Sequence, residues 1–297
     1  MSTLEIPAAS LHALTWGTTR PEAPLAVLLH GFPDIPQSWE PVALRLAEQG
    51  YRVVAPYMPG YHPSPAPGRG DFLEVTDRIL ALVNALSPDR PVYLVGHDWG
   101  AAVSYVLLAR APERFRAAST MAVPQLMAFV RNGLSSPAQL WRSRYMGFFQ
   151  LVPVADALVP RDDYAFIRKL WRSWSPGYSL PEAHFAELRE CFDASMPAPL
   201  AWYRPQSGAM GARLRDLPTV LGLLTRTLSV PTLYLHGEDD GCIGVEVTLG
   251  QQRYFAGDFE EDVIPSAGHF LQLEQPVRVA TRLLDFFARH PLGARAS

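Results

Sequence analysis

The sequence predicts an α/β protein in which a mostly parallel central sheet, flanked by helices, is interrupted by an inserted helical cap. Three observations carry that prediction. Continuous apolar runs of strand length alternate with stretches of helical period, the pattern of a sheet covered on both faces. One of those runs ends in a small-residue turn that leads directly into a helical pattern. Between about residues 125 and 228 the alternation stops, and beyond it resumes.

The first strand of this kind is Leu25-Ala26-Val27-Leu28-Leu29, apolar at every position. Tyr51 to Ala55 and Val92 to Val95 follow, and between them Val75, Ile79, Leu82, Val83 and Leu86 recur at helical spacing, which makes a crossover helix. From residue 125 short helix-like pieces, scattered prolines and four of the seven tryptophans (Trp141, Trp171, Trp174 and Trp202) mark the cap. Thr232 to His236 then reads as a strand, Asp262 to Ile264 as a short one, and Val277 to Phe287 as an amphipathic helix. The expected division is a core of residues 1–124 and 229–297 around a cap of residues 125–228.

Composition narrows the function classes. With 297 residues, 48% hydrophobic and 19% charged, the chain can bury a sizeable core. A formal net charge of −3 without a basic cluster excludes a nucleic-acid binder that works by neutralising phosphates. Neither a signal peptide in Met1 to Gly17 nor an 18-residue apolar span is found, so no membrane partner and a cytoplasmic location are expected. Two cysteines, Cys191 and Cys242, are too few for a disulfide framework or a thiolate zinc site, and no metal is expected.

The most informative stretch is Gly96-His97-Asp98-Trp99-Gly100, set between a β-run and a helical pattern that starts near Ala101. Small residues on either side of Asp98 permit a strained strand-to-helix turn that pushes the central side chain outward, at a helix N-terminus that favours negative charge. Asp98 could instead simply cap the helix. As a nucleophile, a carboxylate attacking an acyl carbon would give only an anhydride. Attacking an sp³ carbon that bears a leaving group, it gives an alkyl ester that activated water can hydrolyse. Epoxides and alkyl halides are such substrates.

Partners for Asp98 follow in chain order. His30-Gly31-Phe32-Pro33, directly after the first buried strand, would supply the Phe32 N–H to an oxyanion hole, with the Trp99 N–H as second donor. His30 and Pro33 are expected beside the substrate. Loops at the carboxyl ends of the later strands hold Gly237-Glu238-Asp239-Asp240 and Gly268-His269-Phe270, which places an acid and then a base after the nucleophile. Asp240 is the expected acid and Asp239 its competitor.

On these residues the chain resembles the epoxide hydrolases of the α/β-hydrolase superfamily, which are related to the haloalkane dehalogenases. The resemblance runs from about Leu25 to Phe287. It implies the α/β-hydrolase fold and an epoxide hydrolase without cofactor, acting on a small apolar epoxide and water. It assigns the acid to Asp240, fourth in a Gly-x-x-Asp turn. It also implies two cap tyrosines that donate to the epoxide oxygen: Tyr145, in Tyr145-Met146-Gly147-Phe148-Phe149-Gln150, and Tyr203, in Trp202-Tyr203-Arg204. Tyr164 and Tyr178 also lie in the cap. Phe149 and Trp202 are expected to line the substrate pocket. A phenol suits the chemistry independently, because the alkoxide released on ring opening is a poor leaving group unless an acid donates to it. The alternative is a haloalkane dehalogenase using the same triad. Against it, that group often has an asparagine where this chain has Phe32. A third reading is a non-catalytic receptor on the same fold.

Overall fold

The computed structural model describes residues 1–68, 72–204 and 217–293. Eight strands form a single sheet: β1 (Ser2–Ile6), β2 (Leu11–Gly17), β3 (Leu25–Leu29), β4 (Arg52–Pro56), β5 (Val92–His97), β6 (Phe115–Met121), β7 (Thr232–Gly237) and β8 (Phe259–Ile264). Their order is β1-β2-β4-β3-β5-β6-β7-β8. From β4 to β8 every neighbouring pair is parallel, while β1 and β2 join antiparallel at one edge.

The continuous apolar runs are the central strands. Along β3, Val27 and Leu29 enter one hydrophobic cluster and Ala26 and Leu28 another, because successive side chains point to opposite faces. On the first face lie α2 (Phe72–Leu86) and α3 (Trp99–Arg110); on the second lie α1 (Glu40–Glu48) and α13 (Pro276–Arg289). The crossover and C-terminal helices therefore fall where the periodicity places them. Three strands lie outside that pattern. β1 is an edge strand and β2 its antiparallel neighbour, both with solvated positions, and β6 (Phe-Arg-Ala-Ala-Ser-Thr-Met) buries Ser119 and Thr120 among small residues of low strand preference.

Between β6 and β7 the described residues form eight helices: α4 (Leu126–Ser135), α5 (Pro137–Arg142), α6 (Arg144–Phe149), α7 (Val152–Leu158), α8 (Arg161–Trp174), α9 (Glu182–Ser195), α10 (Ala198–Ala201) and α11 (Leu217–Leu224). They cross the carboxyl ends of the strands. Trp171 Nε1–H donates to the Pro33 carbonyl after β3, and the Trp174 carbonyl accepts from Gly241 N–H after β7 and from His269 N–H after β8. A short helix, α12 (Leu271–Glu274), links this last loop to α13. Among the described residues no helix is long and apolar enough to cross a membrane.

Candidate active site

Asp98 stands between the last residue of β5 and the first of α3, with φ at +53° and ψ at −118°. That conformation costs an L-residue of order 1–3 kcal/mol. It persists because the glycines on either side allow the strand and helix to close together. A Cβ on Gly96 would collide with the Gly100 carbonyl, and one on Gly100 with the Leu29 carbonyl of the neighbouring strand.

The turn aims the carboxylate at groups from two other loops. Asp98 Oδ1 accepts from the Phe32 N–H at 2.7 Å, and Oδ2 lies 3.5 Å from His269 Nε2. His269 Nδ1 is 2.9 Å from Asp240 Oδ2. The other oxygen of Asp240 accepts from the N–H groups of Cys242 (2.7 Å) and Ile243 (2.9 Å), so this carboxylate has one orientation available. Asp239 is exposed and contributes only its N–H, to the Ala267 carbonyl. The geometry separates two neighbours that the sequence left in competition.

Electrostatics follow from this packing. Burial disfavours an imidazolium at His269, but the Asp240 and Asp98 carboxylates together outweigh it and raise its pKa from 6.5 to about 10. Burial likewise favours a neutral Asp240, yet the charge and hydrogen bond of His269 hold that carboxyl below its usual range. His269 therefore rests as an imidazolium between two carboxylates. His97 behind it is different: burial and then the His269 charge lower its pKa to about 4, and its neutral ring donates from Nε2 to the His269 carbonyl (2.8 Å).

A cavity of about 200 Å³ opens at Asp98 and is lined by Trp99, Tyr145 and Tyr203 among apolar side chains. The Tyr203 hydroxyl, the Trp99 indole N–H and His269 Nε2 are all buried without a hydrogen-bond partner. Three such atoms on residues at or beside the cavity are expensive to leave unsatisfied, and active sites are where that cost persists. Tyr145 Oη has only a 3.6 Å contact with Cys242 Sγ. Burial, and then the Asp98 charge at Tyr203 and Cys242 at Tyr145, raises both phenols well above 10, so both stay protonated. Tyr164 instead donates to Asp193, and Tyr178, like Tyr164, is absent from the cavity lining.

Four residues expected to line the pocket stand behind its wall. His30 is engaged at both ring nitrogens, Nε2 accepting from the Met58 N–H (3.0 Å) and Nδ1 donating to the Gly31 carbonyl (3.0 Å). Pro33 holds the Trp171 indole, and Trp202 donates its own to the Pro59 carbonyl. Phe149 is fully buried against Phe32, Tyr145 and Tyr203. Each belongs to a segment next to the site but is turned inward by a backbone bond or by aromatic packing, which residue spacing does not report.

Sequence reasoning also missed a brace under His269. The Trp174 carbonyl holds the His269 N–H (3.0 Å), while Ser175 Oγ donates to Glu274 (2.6 Å) and accepts from the Phe270 N–H. Glu274 in turn accepts from the Gly268 N–H (2.8 Å). No motif marks these residues; their roles exist only because α8 ends against the His269 loop.

The α/β-hydrolase fold family matches residues 24–276, most of the chain. Epoxide hydrolase 3 of Xenopus tropicalis is 32% identical over 89% of this chain and 71% of its own length. The chain belongs to the epoxide hydrolase family of the α/β-hydrolase fold. Epoxide hydrolase A of Mycobacterium tuberculosis is 29% identical over 90% of this chain and 91% of its own. Among solved structures, epoxide hydrolase A of Mycobacterium thermoresistibile superposes with a TM-score of 0.81, covering 98% of this chain and 99% of that one at 24% identity. That last likeness shows the fold.

Proposed function

We propose that this protein hydrolyses epoxides to vicinal diols through a covalent ester on Asp98, beneath a cap formed by residues 125–228 over a core of 1–124 and 229–297. The observation that carries this reading is a nucleophilic carboxylate sharing one cavity with two protonated phenols, with a charged histidine at its back.

In the first step Asp98 Oδ2 bonds to a ring carbon, the C–O bond breaks, and the electron pair passes to the ring oxygen. Tyr145 and Tyr203 donate to that oxygen as charge develops. Esterification consumes the Asp98 charge, one of the two that hold His269 protonated, so its pKa falls. The proton His269 then loses balances the one the alkoxide takes up. Neutral Nε2 now accepts a proton from water, with Nδ1–H fixed on Asp240. The hydroxide adds to Cγ, the oxyanion forms on Oδ1 where the Phe32 and Trp99 N–H groups receive it, and collapse expels the diol. Proton transfer to the departing oxygen restores the Asp98 carboxylate and the His269 imidazolium. Water is the only co-reactant in this cycle.

Two measurements test it. With His269→Gln, alkylation proceeds and hydrolysis stalls, so intact-mass spectra show a substrate adduct; an unmodified variant after exposure to an epoxide the wild type consumes would refute the roles. In a single turnover in H₂¹⁸O with excess enzyme, the label enters Asp98. Label in the diol with Asp98 unlabelled would exclude the ester.

A further inference from the structure

The cavity has one arm. From Asp98 it runs along a single face of α3, past Trp99, Ala102 and Val106, between Leu73 of α2 and Leu126 of α4. At 1.5 Å per residue, Asp98 to Val106 spans about 12 Å. Val130 of α4, which is 46% exposed, and Val220 and Leu223 of α11 complete its lining on the outer side. Among the described residues Asp98 is the only charged side chain lining it.

On the opposite side of Asp98 there is a wall. Phe32 packs against Phe149, Phe192 and Tyr203, Tyr61 against Phe192 and Trp202, and His269 against Trp174. Phe32, Phe149, Phe192 and His269 are fully buried, and none of the four lines the cavity. An epoxide bound at Asp98 with one ring carbon toward this apolar space would meet packed aromatic rings at the other.

We infer that the substrate is a terminal epoxide carrying one apolar, uncharged arm of about eight carbons beyond the ring. The length follows from the 12 Å run, because a staggered chain with ~1.5 Å bonds advances ~1.25 Å per carbon. A carboxylate within the arm would have no counter-charge. This inference rests on the epoxide hydrolase reading and adds which epoxide.

The test is kcat/KM for 1,2-epoxybutane, -hexane, -octane, -decane and -dodecane beside trans-5,6-epoxydecane. Each methylene buried in the arm is worth roughly threefold to fourfold, so kcat/KM rises to about ten carbons and then levels, where further carbons pass into solvent. The internal isomer, which must force one butyl group into the wall, falls about a hundredfold below 1,2-epoxydecane. Val106→Phe blocks the arm at its outer end and moves the onset of the plateau to about eight carbons; Leu223→Phe, from α11 on the facing wall, shortens it likewise if the first variant fails to fold. A flat chain-length profile, an internal isomer as good as the terminal one, or a plateau unmoved by both variants overturns the one-armed site. Failure of every epoxide to yield diol would instead overturn the hydrolase reading and this inference with it.

Discussion

Replacing Asp240 by asparagine probes the site at the point where its geometry is most constrained. Oδ1 of Asp240 accepts from two backbone N–H groups, and Oδ2 faces His269 Nδ1 at 2.9 Å. An asparagine amide cannot turn its NH₂ toward those two donors, so its oxygen takes the Oδ1 position and its NH₂ faces the imidazole. Nδ1 must then accept, which moves the ring proton to Nε2. A protonated Nε2 cannot take a proton from water. The same exchange of tautomer in a serine protease triad costs about 10⁴ in kcat, and about 10⁴ in the hydrolytic half-reaction, or ~5.5 kcal/mol, is expected here. Alkylation needs no base, so it changes far less and the ester accumulates. Excess Asp240→Asn enzyme, mixed with epoxide and quenched over time, should show the adduct by intact mass while diol lags. Asp239→Asn, altering an exposed side chain, should leave both steps unchanged. Adduct hydrolysis by Asp240→Asn within about tenfold of wild type would refute the orienting role.

Tyr203→Phe removes a hydroxyl that bonds to nothing in the fold, so Tm should hold while the single-turnover alkylation rate drops by roughly tenfold to ten-thousandfold; an unchanged rate would remove Tyr203 from the chemistry. Gly100→Ala drives a methyl into the Leu29 carbonyl and should destabilise the fold by about 1–3 kcal/mol or more, read as a lowered urea midpoint. Stability should fall on both sides of a maximum near pH 6.5. Because His269 is raised to about 10, its contribution is full below 6.5 and is lost as pH rises toward 10. Because His97 is lowered to about 4, its contribution is full above 6.5 and is lost as pH falls toward 4. Tm against pH for His269→Gln should therefore lack the alkaline decline, and an unaltered alkaline slope would contradict the charge assigned to His269.

Much of the site was legible because its chemistry depends on residue type at close range. An Asp between two glycines at a strand-to-helix junction needs no distant information, since the strain and the helix N-terminus are local. The central strands were legible for a similar reason: burial on both faces demands apolar residues at every position. The antiparallel strands β1 and β2 and the small-residue strand β6 were not, because solvated positions in the first two and buried hydroxyls in the third blur the pattern.

Chain order alone placed Asp98, an acid and His269 in the loops at one end of the sheet, since parallel strands deliver their carboxyl ends to the same side. Choosing Asp240 over Asp239 by geometry, closing the aromatic wall behind Asp98, turning His30 and Trp202 away from the cavity and bracing His269 from Trp174 and Glu274 required the folded chain. Those outcomes depend on which backbone groups, far apart in sequence, compete for one side chain. Residue spacing encodes direction along a strand or a helix, but only packing decides which of two adjacent side chains meets its partner.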